Sequence, residues 1–143
     1  MRGYLEQLCG HLADALRDVR PIVVKVDAAE IYLPAEQAVP IGLIVNELVT
    51  NALKHAFPDE RPGAIEVLLT RESELTLLVR DDGVGCTLKR EGLGTRLIRL
   101  LAQQLGANVA WEKPEVGCLV RIAFASRGLR SAGSRVARVG AAA

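Results

Sequence analysis

The sequence predicts an α+β fold: a two-layer α/β sandwich in which a mixed sheet carries its helices on one face. Three observations point there. Residues 4–19, 34–57 and 93–107 repeat apolar residues at helical spacing, and the segments between them read as short β-branched strands. Those strands come two at a time, which favours hairpins over the alternating βαβ rhythm of a doubly wound sheet. Half of the 143 residues are hydrophobic but only 3% are aromatic, so the core between the layers must be aliphatic. A chain of this length suits one domain with one core.

Each element has its own signature. Tyr4, Leu5, Leu8, Cys9, Leu12, Leu16 and Val19 lie on one helical stripe, which Arg20-Pro21 ends. IVVKV (22–26) and EIYL (30–33) read as two strands parted by an Asp27-Ala28-Ala29 turn. Pro34 opens the central helix, and Pro40 falls in or just after its first turn, where few intrahelical donors are lost. Phe57-Pro58 closes that helix, and a polar turn follows over 59–63. AIEVLLT (64–70) and ELTLLVR (74–80) form an antiparallel hairpin through Arg71-Glu72-Ser73, followed by a glycine-rich loop over 81–94. In the last helix Leu97, Ile98, Leu101 and Leu105 face inward, Arg96, Arg99, Gln103 and Gln104 outward, and Gly106 caps the end. NVAWEK (108–113) and CLVRIAFA (118–125) make a second hairpin around Pro114 to Gly117. From Ser126 the core pattern stops. The expected organisation is a helix over 1–20, the main domain over 21–125 and a disordered tail over 126–143.

Composition excludes several classes of function. A net charge of +1 argues against a nucleic-acid surface, and the five arginines from Arg121 onward have no aromatic residue among them except Phe124. No apolar run approaches the ~18–20 residues that span a bilayer, and the N-terminus is not a secretory signal, so the expected setting is cytoplasmic, alone or as the cytoplasmic piece of something larger. The three cysteines, Cys9, Cys86 and Cys118, are far apart and lack metal-ligand spacing. They are expected to be reduced thiols, with neither zinc nor a disulfide.

The polar residues of the central helix are where chemistry enters. In IGLIVNELVTNALKHAF (41–57), Glu47, Asn51, Lys54 and His55 stand at i, i+4, i+7 and i+8 and share a face. On a helix otherwise apolar or small, that stripe is costly to bury unless something pairs with it. An amide oxygen at Asn51 suits a hard cation such as Mg²⁺, which keeps water and phosphate as its other ligands. Glu47, one turn earlier, could orient or deprotonate a nucleophile. Asp81-Asp82-Gly83-Val84-Gly85 ends a strand; its carboxylate can accept a hydrogen bond from an exocyclic amine, though Asp-Gly is equally a turn former. Gly92-Leu93-Gly94-Thr95 opens a helix, where free N–H groups favour phosphate or simply mark a helix entry. It is neither a P-loop nor a Rossmann fingerprint.

Taken together and in this order, the three segments resemble the ATP-binding catalytic domain of sensor histidine kinases, in the GHKL superfamily. NELVTNALKHAF resembles its N-box, DDGVG its first glycine box and GLGT its second. The glutamate at Glu47, the KHAF ending and the short lid resemble most the HWE-like class. The resemblance covers roughly residues 4–125 and implies a Bergerat-type ATP-binding fold, with ATP and Mg²⁺ as cofactors. It implies that Asn51 ligates Mg²⁺ and that Glu47 assists phosphoryl transfer, with Lys54 and His55 beside the nucleotide. Asp81 would read the adenine amine in a pocket shaped by Gly83 and Gly85. Leu93, Gly94 and Thr95 would lie at the phosphates, and Cys86 to Glu91 would be the ATP lid, with Lys89 and Arg90 as phosphate contacts.

Two features depart from the family pattern. Where the family has Gly-Thr near the last strand, this chain has Gly117-Cys118, and a thiol is the weaker hydrogen-bonding group. The phosphoacceptor histidine is not evident either: only His11 and His55 occur, and His11 lacks an acceptor's usual sequence context. The implied activity is transfer of the ATP γ-phosphate to a histidine on a separate dimerisation domain, with a response regulator downstream. The alternatives are a serine kinase of the anti-sigma-factor type and a nucleotide-binding or docking module that moves no phosphate.

Overall fold

A computed structural model of the chain describes residues 1–16, 22–58, 61–85 and 92–125. The expected helix end at Arg20-Pro21, the lid with Lys89 and Arg90, and the tail over 126–143 lie outside the described residues. Helix α1 spans Arg2–Leu16, α2 Ala35–His55 and α3 Leu93–Gln104. The strands are β1 Ile22–Ala28, β2 Gly63–Arg71, β3 Leu75–Asp81, β4 Ala107–Glu112 and β5 Cys118–Phe124. They form a five-stranded sheet in the order β1-β2-β3-β5-β4.

The predicted two-layer sandwich is what forms. Burial alternates along each strand, as a sheet covered on one face requires. Ile65, Val67 and Leu69 of β2, Leu75, Leu77 and Val79 of β3, and Val120, Ile122 and Phe124 of β5 are all buried. They meet Ile41, Ile44, Val45, Leu48, Val49 and Leu53 from α2, Leu5 and Cys9 from α1, and Ile98 and Leu101 from α3. Each such aliphatic side chain contributes about 1.5–3 kcal/mol on transfer from water. The other face keeps polar residues, with ion pairs between Arg80 and Glu66 at 2.6 Å and between Arg121 and Glu112 at 3.3 Å.

One expectation fails at the first strands. EIYL (30–33) is not a strand, and Asp27-Ala28 is not a turn but the end of β1. β1 runs parallel to β2, from Ile22 opposite Gly63 to Ala28 opposite Leu69. Thus β1, α2 and β2 make the βαβ unit that the pairwise spacing of strands concealed. Ala29 N–H still bonds the Leu69 carbonyl at 2.9 Å, but Arg71 ends β2 soon after, so residues 30–33 have no ladder to join. Instead Ile31 turns into the core while Tyr32 stays 71% exposed. The remaining pairs, β2 with β3 and β4 with β5, are the antiparallel hairpins expected, and β3 with β5 closes the sheet.

Helix α2 fixes the site. Pro34 is its N-cap, and Pro40 lies in the second turn, forfeiting the bond that Glu36 would otherwise accept. Ala56 ends it with its N–H on the Ala52 carbonyl, and Phe57, fully buried, lies where a side chain on Gly63 would have to go. Gly106, at φ +65°, follows the end of α3 as predicted.

Candidate functional site

The polar face of α2 connects two loops. At its middle, Glu47 and Asn51 are half-buried and face the first turn of α3. A Cβ added to Gly94 would lie 2.7 Å from Glu47 Oε2 and 3.6 Å from Asn51 Nδ2. A side chain there would have to displace the Glu47 carboxylate. Helix α3 starts at Gly92 without a side-chain cap, so its first-turn N–H groups are left for another acceptor, and the positive end of its dipole lies beside the α2 stripe. Thr95 is half-buried there, and Leu93 is 85% exposed.

At its end, α2 meets the Asp81 loop. Val84 N–H donates to the Ala56 carbonyl at 2.9 Å, and Gly83 is buried against that carbonyl, leaving no room for a Cβ. From Glu47 to Ala56 is nine residues, about 13 Å of helix. Lys54 and His55 are exposed beside this junction. No polar or charged residue is buried among the described residues. The expected burial penalty on the stripe therefore does not arise: α2 buries its apolar side in the core, while the stripe lies at the edge, with Glu47 and Asn51 half-buried and Lys54 and His55 exposed.

Asp81 ends β3, opposite Ile65 of β2 and Cys118 of β5. Burial pushes its carboxyl above the usual range; N–H groups of Gly83 and Cys118 pull it back, and the neighbouring Asp82 charge adds to the rise. The Gly83 bond to Asp81 Oδ1 is 2.9 Å. Gly117, at φ +78°, is pressed on the Asp81 carbonyl where no Cβ fits, and Gly85, at φ +101°, faces Gly117. Gly117 thus lets the start of β5 close against the Asp81 loop, where the Cys118 N–H reaches the carboxylate. A cavity of about 260 Å³ that Asp81 and Asp82 share with Ala64, Glu66, Arg80, Pro114, Val116 and Leu119 opens on the sheet and includes none of Glu47, Asn51 or Gly94.

Cys118 corrects a second expectation. It is disulfide-bonded, whereas Cys9 is free and buried. Sequence spacing cannot reveal such a bond, because it depends on Cα separation in the fold. A disulfide sulfur has no proton to donate, so Cys118 lacks even the weak donor of a thiol. Burial pushes the Cys9 thiol up to about 11, leaving it neutral and inert. His11 is exposed on α1. Among the described residues no cluster of three His, Cys, Asp or Glu side chains could hold a metal by itself.

Sequence reasoning missed two participants. The Ala56 carbonyl, which fastens the Asp81 loop, is a backbone group with no sequence signal. Asp82 was legible only as half of a turn-forming Asp-Gly pair, although its Oδ1 accepts the Ala64 N–H at 2.8 Å.

Comparison with known proteins agrees with this architecture. Residues 11–122 match the model of the histidine kinase-like ATPase domain. The chain is 37% identical over 123 residues to blue-light-activated histidine kinase 2 of Erythrobacter litoralis, which covers 79% of this chain and 36% of that protein. It is 27% identical over 100 residues to the anti-sigma F factor of Shouchella clausii, 59% of this chain and 68% of that one. Among solved structures, the histidine kinase domain of the E. litoralis EL346 blue-light-activated kinase superposes with a TM-score of 0.72 at 34% identity, covering 85% of this chain and 64% of that one. The catalytic domain of the histidine kinase ThkA gives 0.69 at 14% identity, over 85% of this chain and 90% of that one, a likeness of fold. The chain spans 36% of blue-light-activated histidine kinase 2 and 17% of the nitrate/nitrite sensor protein NarQ of Escherichia coli. On the sequence match, and with the α+β architecture in agreement, the chain belongs to the histidine kinase-like ATPase domain family.

Proposed function

We propose that the chain is the catalytic domain of a histidine kinase, which binds Mg-ATP along the α2 face and passes the γ-phosphate to a histidine on a dimerisation domain, in the same chain or another. The observation that carries this reading is the double attachment of α2: its middle touches Gly94 at the uncapped start of α3, and its end holds the Asp81 loop. Asp81 accepts the adenine amine, in a pocket whose walls Gly83 and Gly85 keep thin. Leu93, Gly94 and Thr95 turn backbone N–H groups to the phosphates. Lys54 and His55 flank the nucleotide, adding positive charge and a polar wall.

The donor set fits a magnesium ion carried in with the phosphates: Asn51 offers one hard amide oxygen, and the nucleotide and water would complete the shell. When bound, that ion neutralises charge on the transferring group. Glu47 orients the attacking imidazole and takes up its proton, so the protein's share of catalysis is positioning and charge. In this reading α1 is the end of a dimerisation hairpin joined to the ATP-binding domain over 21–125, and a response regulator in the cytoplasm takes the phosphoryl group onward.

A second reading, a serine kinase acting on a separate protein, draws support from the likeness to the anti-sigma F factor, which extends over 68% of that protein. One experiment separates the two. Radiolabelled ATP is incubated with the chain and a histidine-bearing hairpin added in trans. Acid-labile, base-stable label on the hairpin is the expected result. Acid-stable label on a partner serine would transfer the assignment to the second reading, and no Mg-ATP binding at all would leave a docking module.

A further inference from the structure

Asp82 makes an unusual connection at the end of the β2–β3 ladder. The last registered pair is Ile65 with Asp81. The next pair, Ala64 with Asp82, is only half backbone: Asp82 N–H donates to the Ala64 carbonyl at 3.3 Å. The reciprocal donor, Ala64 N–H, goes to the Asp82 side chain, Oδ1, at 2.8 Å. The carboxylate stands in for the Asp82 carbonyl, so the peptide after Asp82 leaves the sheet without stranding a strand-end donor. That departure sends Gly83 onto the Ala56 carbonyl with its N–H on Asp81 Oδ1, and Val84 N–H onto Ala56.

We propose that Asp82 is a positioning residue for purine recognition: by taking the Ala64 N–H on its side chain, it releases the loop that orients the Asp81 carboxylate. Without that acceptor, Ala64 N–H is satisfied by the Asp82 carbonyl, and the ladder grows by one pair. Gly83 is then drawn off α2, and Asp81 loses a bond that fixes its carboxylate. The inference rests on the reading of Asp81 as the adenine-binding acid.

The test is isothermal titration of the full chain with Mg-ATP and Mg-GTP, using wild type, Asp82→Ala, Asp82→Asn and Asp81→Ala. Alanine and asparagine remove the same charge, but only asparagine keeps an oxygen for Ala64. Asp82→Ala is expected to lose roughly tenfold in ATP affinity and most of its preference over GTP, the scale of one charge-assisted hydrogen bond. Asp82→Asn is expected to restore both. Wild-type selectivity in Asp82→Ala, or equal damage in the two variants, would overturn the proposal. If Asp81→Ala loses the preference while Asp82→Ala keeps it, this inference alone fails. If Asp81→Ala keeps it, the reading of Asp81 fails first, and this inference with it. Should Asp82→Ala not fold by circular dichroism, Asp82→Leu, which has no side-chain oxygen, takes its place under the same criteria.

Discussion

Asn51 and Asp81 illustrate how far single residues can be judged from their surroundings. Asn51→Ala removes the one amide oxygen on the α2 face beside Gly94, and it is expected to abolish magnesium-dependent ATP binding while leaving the fold intact. Titration with and without Mg²⁺ decides, and wild-type affinity would remove the metal role. Asp81 carries a stability cost beside its proposed role. Its carboxyl titrates above the ordinary value of 3.8, so the folded protein binds more protons than the unfolded chain between 3.8 and that raised value. Stability therefore falls as pH rises through this window, and above it the ionised group is a standing expense. Asp81→Asn is expected to raise the midpoint of thermal unfolding at pH 7 by a few degrees. The gain should vanish below pH 3.8, and a constant difference across pH would argue that charge is not the cause.

At the scale of elements, legibility followed local chemistry. The α2 helix was readable from its apolar run and its prolines, α3 from Leu97, Ile98, Leu101 and Leu105, and the two hairpins from their turns. What escaped was everything set by long-range contact. Residues 30–33 have strand composition, yet the end of β2 at Arg71 leaves them without a partner. The parallel pairing of β1 was hidden because β-branched residues say nothing of strand direction. The bond at Cys118 and the approach of Gly94 to Glu47 likewise depend on distance through space. Glycine substitutions test those approaches. Gly94→Ala should displace the Glu47 carboxylate rather than α3 and weaken ATP binding about tenfold or more with little change in melting, since the atom it meets is the end of a flexible side chain. Gly117→Ala faces both a positive φ and the Asp81 backbone, and is expected to cost at least ~2 kcal/mol in urea unfolding.

The whole molecule stakes its stability and its proposed activity on the same helix. Ligand that bound only the native state would stabilise it by about 2.7 kcal/mol at a hundred times Kd, so Mg-ATP should raise the melting temperature of wild type and not of Asn51→Ala. Topology adds a further consequence. The hydrogen-bonding partner of β1 lies on the far side of α2, so nothing can zip up β1 until the chain has been made through Arg71. A nascent polypeptide stalled after Pro58 would present an open strand edge and a bare aliphatic helix to its surroundings at once. Fragment 1–58 is accordingly expected to pellet on centrifugation under conditions where 1–125 stays in the supernatant. The crossover that builds the candidate site thus leaves the half-made protein with its apolar surface uncovered.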